Sequence, residues 1–167
     1  MDQEETKAYF LQIYDAYADD IFRFCVLKVS NKELAEDLAQ ETFTRFWQAL
    51  REGTIMRSER ALLYTIARNL VIDWYRKKKE SSLDALTDEG IEFAGDGAPE
   101  VMREAEMQEA LAAIQSLDEP SREALLLRYV EGLSPREIAR LSGESANAVS
   151  VRLNRAIKKV RTSMHTE

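Results

Sequence analysis

Apolar residues recur at three- and four-residue spacing along almost the whole chain, and only six glycines and three prolines interrupt them. That period is helical, and no segment alternates as a half-buried strand would, so the pattern predicts an all-α protein. In "SERALLYTIARNLVIDWYRKKK", residues 58–79, Leu62, Leu63, Ile66, Ala67, Leu70 and Trp74 share one arc of a helix. Thr65, Arg68, Asn69, Ile72, Arg76 and Lys79 share the opposite arc, with Tyr64 and Tyr75 on its flank. The preceding helix, "ELAEDLAQETFTRFWQAL", brings Asp37, Gln40, Glu41 and Thr44 within three- and four-residue reach of one another beside large apolar residues.

The helical period breaks once, over "ESSLDALTDEGIEFAGDGAPE" at residues 80–100, where Gly, Ser and Asp concentrate before Pro99. This is linker composition, and unstructured loops of that length are uncommon inside a compact domain. The pattern therefore predicts two small helical domains, 1–79 and 104–167, joined by an acidic linker over 80–103.

Beyond the linker, two amphipathic helices are expected, with Leu111, Ile114, Leu117, Leu125, Leu126 and Tyr129 in the core. Next, Ser134, Pro135 and Glu137 form a helix start: a capping serine, a proline at the first helical position, and a glutamate placed for a capping box. The helix carries Ile138, Ala139 and Leu141 and stops at Gly143; a second start at Ser145 leads into Val149, Leu153, Ala156, Ile157 and Val160. Ala139, Gly143 and Val149 have the spacing of a helix-turn-helix: a small residue at the crossing, a glycine in the turn, and a branched residue locking the second helix. The same spacing also fits a helical hairpin with a solvated basic face. The second helix offers Asn147, Ser150, Arg152, Asn154, Arg155, Lys158 and Lys159 around its apolar stripe, groups suited to base edges and phosphates.

Charge sharpens this picture. The formal net charge is −7 over 167 residues, yet residues 51–79 carry +5 and 134–167 carry +4, while 80–110 carry −9. Two basic segments on an acidic protein imply two separate contacts made with the help of another molecule. Cationic groups interleaved with aromatics over 58–79 suit unpaired nucleic acid, although aromatics at helical spacing more often belong to a core. No nucleophile–base pair or metal-ligand spacing is evident, and the lone histidine is His165, so neither enzyme chemistry, a metal nor a cofactor is expected. One cysteine, Cys25, and the absence of a signal-peptide pattern or membrane-length apolar run point to a cytoplasmic location without membrane insertion.

From about Tyr9 to Arg161 the chain resembles the extracytoplasmic-function group of bacterial sigma-70 family sigma factors. Three blocks carry the resemblance in the family's order: "AEDLAQETFTRFW", "LLYTIARNLVIDWYRKKK" and "LSPREIARLSGESANAVSVRLNRAIKKVR". It implies a subunit of RNA polymerase with no catalysis of its own, which recognises and melts promoters. Asp37, Gln40, Glu41, Phe43 and Trp47 would dock on the clamp helices of the polymerase beta-prime subunit, with further contact to the beta subunit. The loop from about Glu52 to Glu59, followed by Arg60, Tyr64, Arg68, Asn69, Asp73 and Arg76, would recognise the −10 element and hold its melted non-template strand. Ser145, Asn147, Ser150, Val151, Arg152, Arg155 and Lys158 would read the −35 element in duplex DNA.

The resemblance also implies that the acidic linker enters the polymerase's RNA path, and it admits an anti-sigma factor as regulator. The family often places a basic residue at Ser150 and a small polar one at Val151, so phosphate contact there is expected to be weaker, and the resemblance does not fix the −35 sequence. A stand-alone helix-turn-helix regulator with an N-terminal sensing domain is the competing expectation, but it would not need the basic-aromatic helix at 58–79.

Overall fold

The computed structural model describes residues 1–54, 58–81 and 101–165, and every regular element among them is helical. Contacts divide the chain into two compact units, Met1–Glu92 and Phe93–Glu167. The expected linker falls largely in residues 82–100, outside the described residues. At its edges, α3 runs on to Ser81, whose hydroxyl donates to the Lys77 carbonyl at 3.0 Å, and α4 starts at Val101 rather than at 104.

Unit 1 is built from α1 (Gln3–Val29), α2 (Lys32–Arg51) and α3 (Glu59–Ser81). Asp2 opens α1 with a capping box, its carboxylate accepting from Glu5 N at 2.8 Å while Glu5 accepts from Asp2 N at 3.0 Å. The corner into α2 is tight. Ser30 adopts the left-handed region at φ 55° and closes α1 onto the Val26 carbonyl at 2.9 Å, and Asn31 then caps α2 by accepting from Leu34 N at 3.1 Å. Ile21, Phe24 and Cys25 from α1, Ala35 and Phe46 from α2, and Leu63 and Ala67 from α3 are wholly buried between the three helices. Thr42, also wholly buried, satisfies its hydroxyl on the Leu38 carbonyl at 2.7 Å.

Tyr9 of α1 donates its hydroxyl to the Glu59 carboxylate, tying α1 to the first turn of α3. Burial first, and then this bond and the carboxylate's charge, raise the Tyr9 phenol to about 12; the bond holds Glu59 below its usual range. A raised phenol contributes stability that is complete below its unfolded value near 10 and is lost as pH rises through about 12. A depressed carboxyl contributes stability above its unfolded value that is lost as pH falls through its folded one. Tyr9→Phe is therefore expected to lower the stability of unit 1 by about 1 kcal/mol at neutral pH, with that deficit shrinking toward both extremes. Melting curves followed by tryptophan fluorescence across pH check this, because both tryptophans, Trp47 and Trp74, lie in unit 1.

Unit 2 contains α4 (Val101–Gln115), α5 (Glu119–Leu125), a π turn (Leu126–Val130), α6 (Pro135–Ser142) and α7 (Ala146–His165). Leu117 and Leu125 are buried as expected, whereas Tyr129 is 62% exposed. The π turn explains the difference. Glu131 N bonds to the Leu126 carbonyl at 3.1 Å and Leu133 N to that of Leu127 at 2.9 Å, which adds residues to the turn and rotates Tyr129 outward while Leu127 takes the core position. Leu111, Ile114 and Leu126 are half-buried at the edge of that core.

Candidate nucleic-acid and partner interfaces

The helix-turn-helix in unit 2 is built by local chemistry. Ser134 and Glu137 complete their capping box, with Glu137 N to Ser134 Oγ at 3.2 Å and Ser134 N to Glu137 Oε1 at 3.1 Å. Gly143 ends α6 at φ +72°, a left-handed conformation that a side chain would strain, and this turns the chain into α7. Ala139 and Val149, 7% and 0% exposed, close the crossing. The Ser145 hydroxyl accepts from Ala148 N at 3.1 Å, so this expected DNA contact serves as the cap of α7.

Val149, Leu153 and Ala156 bury the inner face of α7. Asn147, Val151, Asn154, Arg155 and Lys158 are exposed and recur at three- and four-residue spacing, so they share the outer face; Ser150 is half-buried beside them. Arg152 stands apart. Its guanidinium is paired with the carboxylate of Glu144 across the turn, at side-chain exposures of 27% and 30%. The hydrogen bond to Glu144 raises the Arg152 pKa against the opposing effect of burial, with the Glu144, Asp118 and Glu123 charges adding to it. Arg152, expected among the base readers, is thus held by its own domain. Glu144 lies eight residues before it, across a turn, where no helical spacing could have announced the pair.

In unit 1, Asp37, Gln40, Glu41 and Thr44 are exposed along one face of α2, with Glu41 paired to Arg45 at 3.0 Å. Phe43 is not on that face: it is 4% exposed and packs edge-on against Tyr14 at 4.8 Å and against Phe10 at 6.4 Å. Its apolar ring belongs to the core while its polar neighbours face outward. Trp47 is half-buried, edge-on to Phe10 at 5.2 Å.

On α3, Asn69, Ile72, Tyr75 and Arg76 are exposed, followed by Lys77, Lys78 and Lys79; Arg60, Arg68 and Asp73 are half-buried. Arg76 pairs with Asp73 at 3.3 Å. Tyr64 departs from its expected place on the nucleic-acid flank: it is 1% exposed and packs edge-on against Phe24 at 5.6 Å, where α1 covers the ring. Tyr75, 42% exposed, anchors its hydroxyl on the Lys28 carbonyl. Trp74, expected inside, is only half-buried, with the Lys78 ammonium 4.9 Å from its ring centroid. Of the loop at 52–59, residues 55–57 lie outside the described residues; Gly53 enters it at φ +69°, and Ser58 Oγ caps α3 by accepting from Ala61 N at 3.2 Å.

Among the described residues no group of His, Cys, Asp or Glu could hold a metal ion, and no helix is long and apolar enough to cross a membrane. The fold and these faces define a helical protein with two separate interaction units, one of them a helix-turn-helix. Residues 13–81 match the family described as Sigma-70 region 2, and residues 107–160 match Sigma-70, region 4. The chain is 32% identical to the ECF RNA polymerase sigma factor SigW of Bacillus subtilis over 165 residues, covering 93% of this chain and 88% of that protein. It is 35% identical to the ECF RNA polymerase sigma factor BldN of Streptomyces coelicolor, covering 89% of this chain, which spans 58% of the length of BldN. The fold is similar to that of the sigma factor RpoE of Bartonella quintana, solved in complex with the anti-sigma factor NepR, at a TM-score of 0.74 and 24% identity over 95% of this chain and 98% of that one. The chain belongs to the ECF group of sigma-70 family RNA polymerase sigma factors, non-enzymatic factors that direct promoter recognition and transcription initiation.

Proposed function

We propose that this chain binds core RNA polymerase through the polar face of α2, holds the melted −10 element on α3, and reads the −35 element in duplex DNA with α7. The observation that carries this reading is the division of labour between two units. Unit 1 presents two solvated helix faces, acidic and polar on α2 and basic on α3, and unit 2 presents one, basic on α7, each fixed by buried residues on the opposite side of its helix. Asp37, Gln40 and Glu41 offer acceptors to the clamp helices of the beta-prime subunit, with Trp47 at the edge of that face. Core polymerase offers a further contact on its beta subunit. Asn69, Arg76 and the lysines after them follow the phosphates of the displaced strand, with Ile72 and Tyr75 supplying apolar surface for its bases. Capture of unpaired bases stabilises the open duplex, so melting needs no catalytic group on this chain.

The acidic remainder disfavours binding to DNA alone, and polymerase supplies both affinity and geometry. The protein acts in the cytoplasm, and an anti-sigma factor that covers the α2 face would hold it inactive.

Run-off transcription with purified bacterial core polymerase on a library of promoter-like duplexes tests the reading. Initiation that depends on this protein and selects a two-part motif supports it; tight binding of the protein alone to duplex DNA, with no initiation, would instead make it an operator-binding regulator. Asp37→Ala and Gln40→Ala are expected to weaken binding to core polymerase several-fold while leaving the melting curve unchanged, since both side chains are solvated. Equilibrium binding to core polymerase checks this, and unchanged affinity would remove α2 from the docking surface.

A further inference from the structure

Val151 departs from the burial of the apolar residues on either side of it in α7. A β-branched residue is a modest helix former, and burial normally offsets that cost. Its apolar neighbours in α7 follow the rule: Val149, Leu153 and Ala156 are 0–5% exposed, while Val151 is 39% exposed. It sits on the outer face between Asn147 and Arg155, each one helical turn away, with Arg152 beside it drawn to Glu144. The outer face of α7 thus carries an isopropyl group flanked along the helix by Asn147, Asn154 and Arg155.

The major groove displays one methyl group, at C5 of thymine; the other bases offer hydrogen-bond donors and acceptors there, and cytosine only a small C5–H at the equivalent position. An isopropyl group cannot satisfy those donors and acceptors and would desolvate them at a cost, whereas against a methyl it removes apolar surface from water on both sides. We propose that Val151 is a specificity-determining residue of the −35 reader, selecting a thymine through its methyl group. Asn147 and Arg155 on either side supply the polar readout that fixes the helix over that base. The inference rests on the proposed role of α7, and it narrows that role to a single chemical group.

The test uses the whole protein with core polymerase and the promoter selected from the library. Each thymine of the upstream element is replaced in turn by deoxyuridine, which pairs identically and lacks only the methyl. For the wild-type chain, one such replacement is expected to lower open-complex formation about threefold to fivefold, the worth of one buried methyl. Val151→Ser, which removes both methyls from an exposed position, is expected to form less open complex on the thymine promoter and to respond equally to thymine and uracil at that base. Val151→Ala serves as a second variant should the serine protein fail to show a wild-type melting curve. If no thymine-to-uracil replacement affects the wild-type chain, or if both variants keep the full preference for thymine, the inference is overturned while the assignment of the family's role stands. No protein-dependent initiation on the unmodified promoter would overturn both.

Discussion

Tyr64→Ala is expected to destabilise unit 1 by about 3–5 kcal/mol, the usual cost of deleting a buried aromatic ring. The side chain is 1% exposed, and its ring meets Phe24, itself wholly buried, edge-on at 5.6 Å. Collapse around the resulting cavity is limited, because Ile21, Leu63 and Ala67 around that core are also wholly buried in helices that pack on one another. Chemical denaturation followed by tryptophan fluorescence isolates unit 1 from unit 2, so the midpoint is a clean readout of this packing. A variant that melts normally but loses promoter opening would place the ring back on the nucleic-acid face. Asn69→Ala, on the solvated face of the same helix, should show the opposite pattern: an unchanged midpoint and weaker opening.

Tyr64 also shows where a linear pattern runs out. Its place on the flank of the basic arc of α3 was readable from the period of the helix, but which element covers that flank depends on α1, whose contribution at Phe24 lies forty residues away. Phe43 misleads in the same way: the polar residues around it announce a surface, and only Phe10 and Tyr14 across the helix interface show that the ring turns inward. Features fixed by neighbours in the chain were legible. Ser134 with Glu137, Gly143, and Ser145 set the ends of α6 and α7 through bonds that span three or four residues, and the structure makes each of them.

The π turn at Leu126–Val130 lies between these cases. It is local, but it arises because Leu127 and Leu133 both find the core, a tertiary preference that overrides the α-helical register and exposes Tyr129. Arg152 and Glu144 make the point for charge. Composition marks α7 as basic, yet one of its cations is neutralised within the domain, so the face it offers to DNA is narrower than the count of basic residues suggests.

What remains of that face decides the second large effect. Arg155 and Lys158 are exposed on the outer side of α7, three residues apart and clear of the Glu144 pair. The variant carrying both Arg155→Ala and Lys158→Ala is expected to lose about tenfold or more in affinity of the holoenzyme for its promoter near physiological salt. If both cations meet phosphates, the slope of log affinity against log salt becomes shallower by about 1.8, at roughly 0.9 for each counterion-displacing contact. Fluorescence anisotropy on a labelled promoter between about 50 and 200 mM salt measures it, a range over which two such contacts account for about a tenfold change. A loss of affinity confined to particular upstream sequences, with the slope unchanged, would make one of the two a reader of base edges, the role for which arginine is better shaped than lysine. An unchanged slope and unchanged affinity would reduce the basic face of α7 to a solvated surface, and the recognition of duplex DNA would then have to reside elsewhere in unit 2.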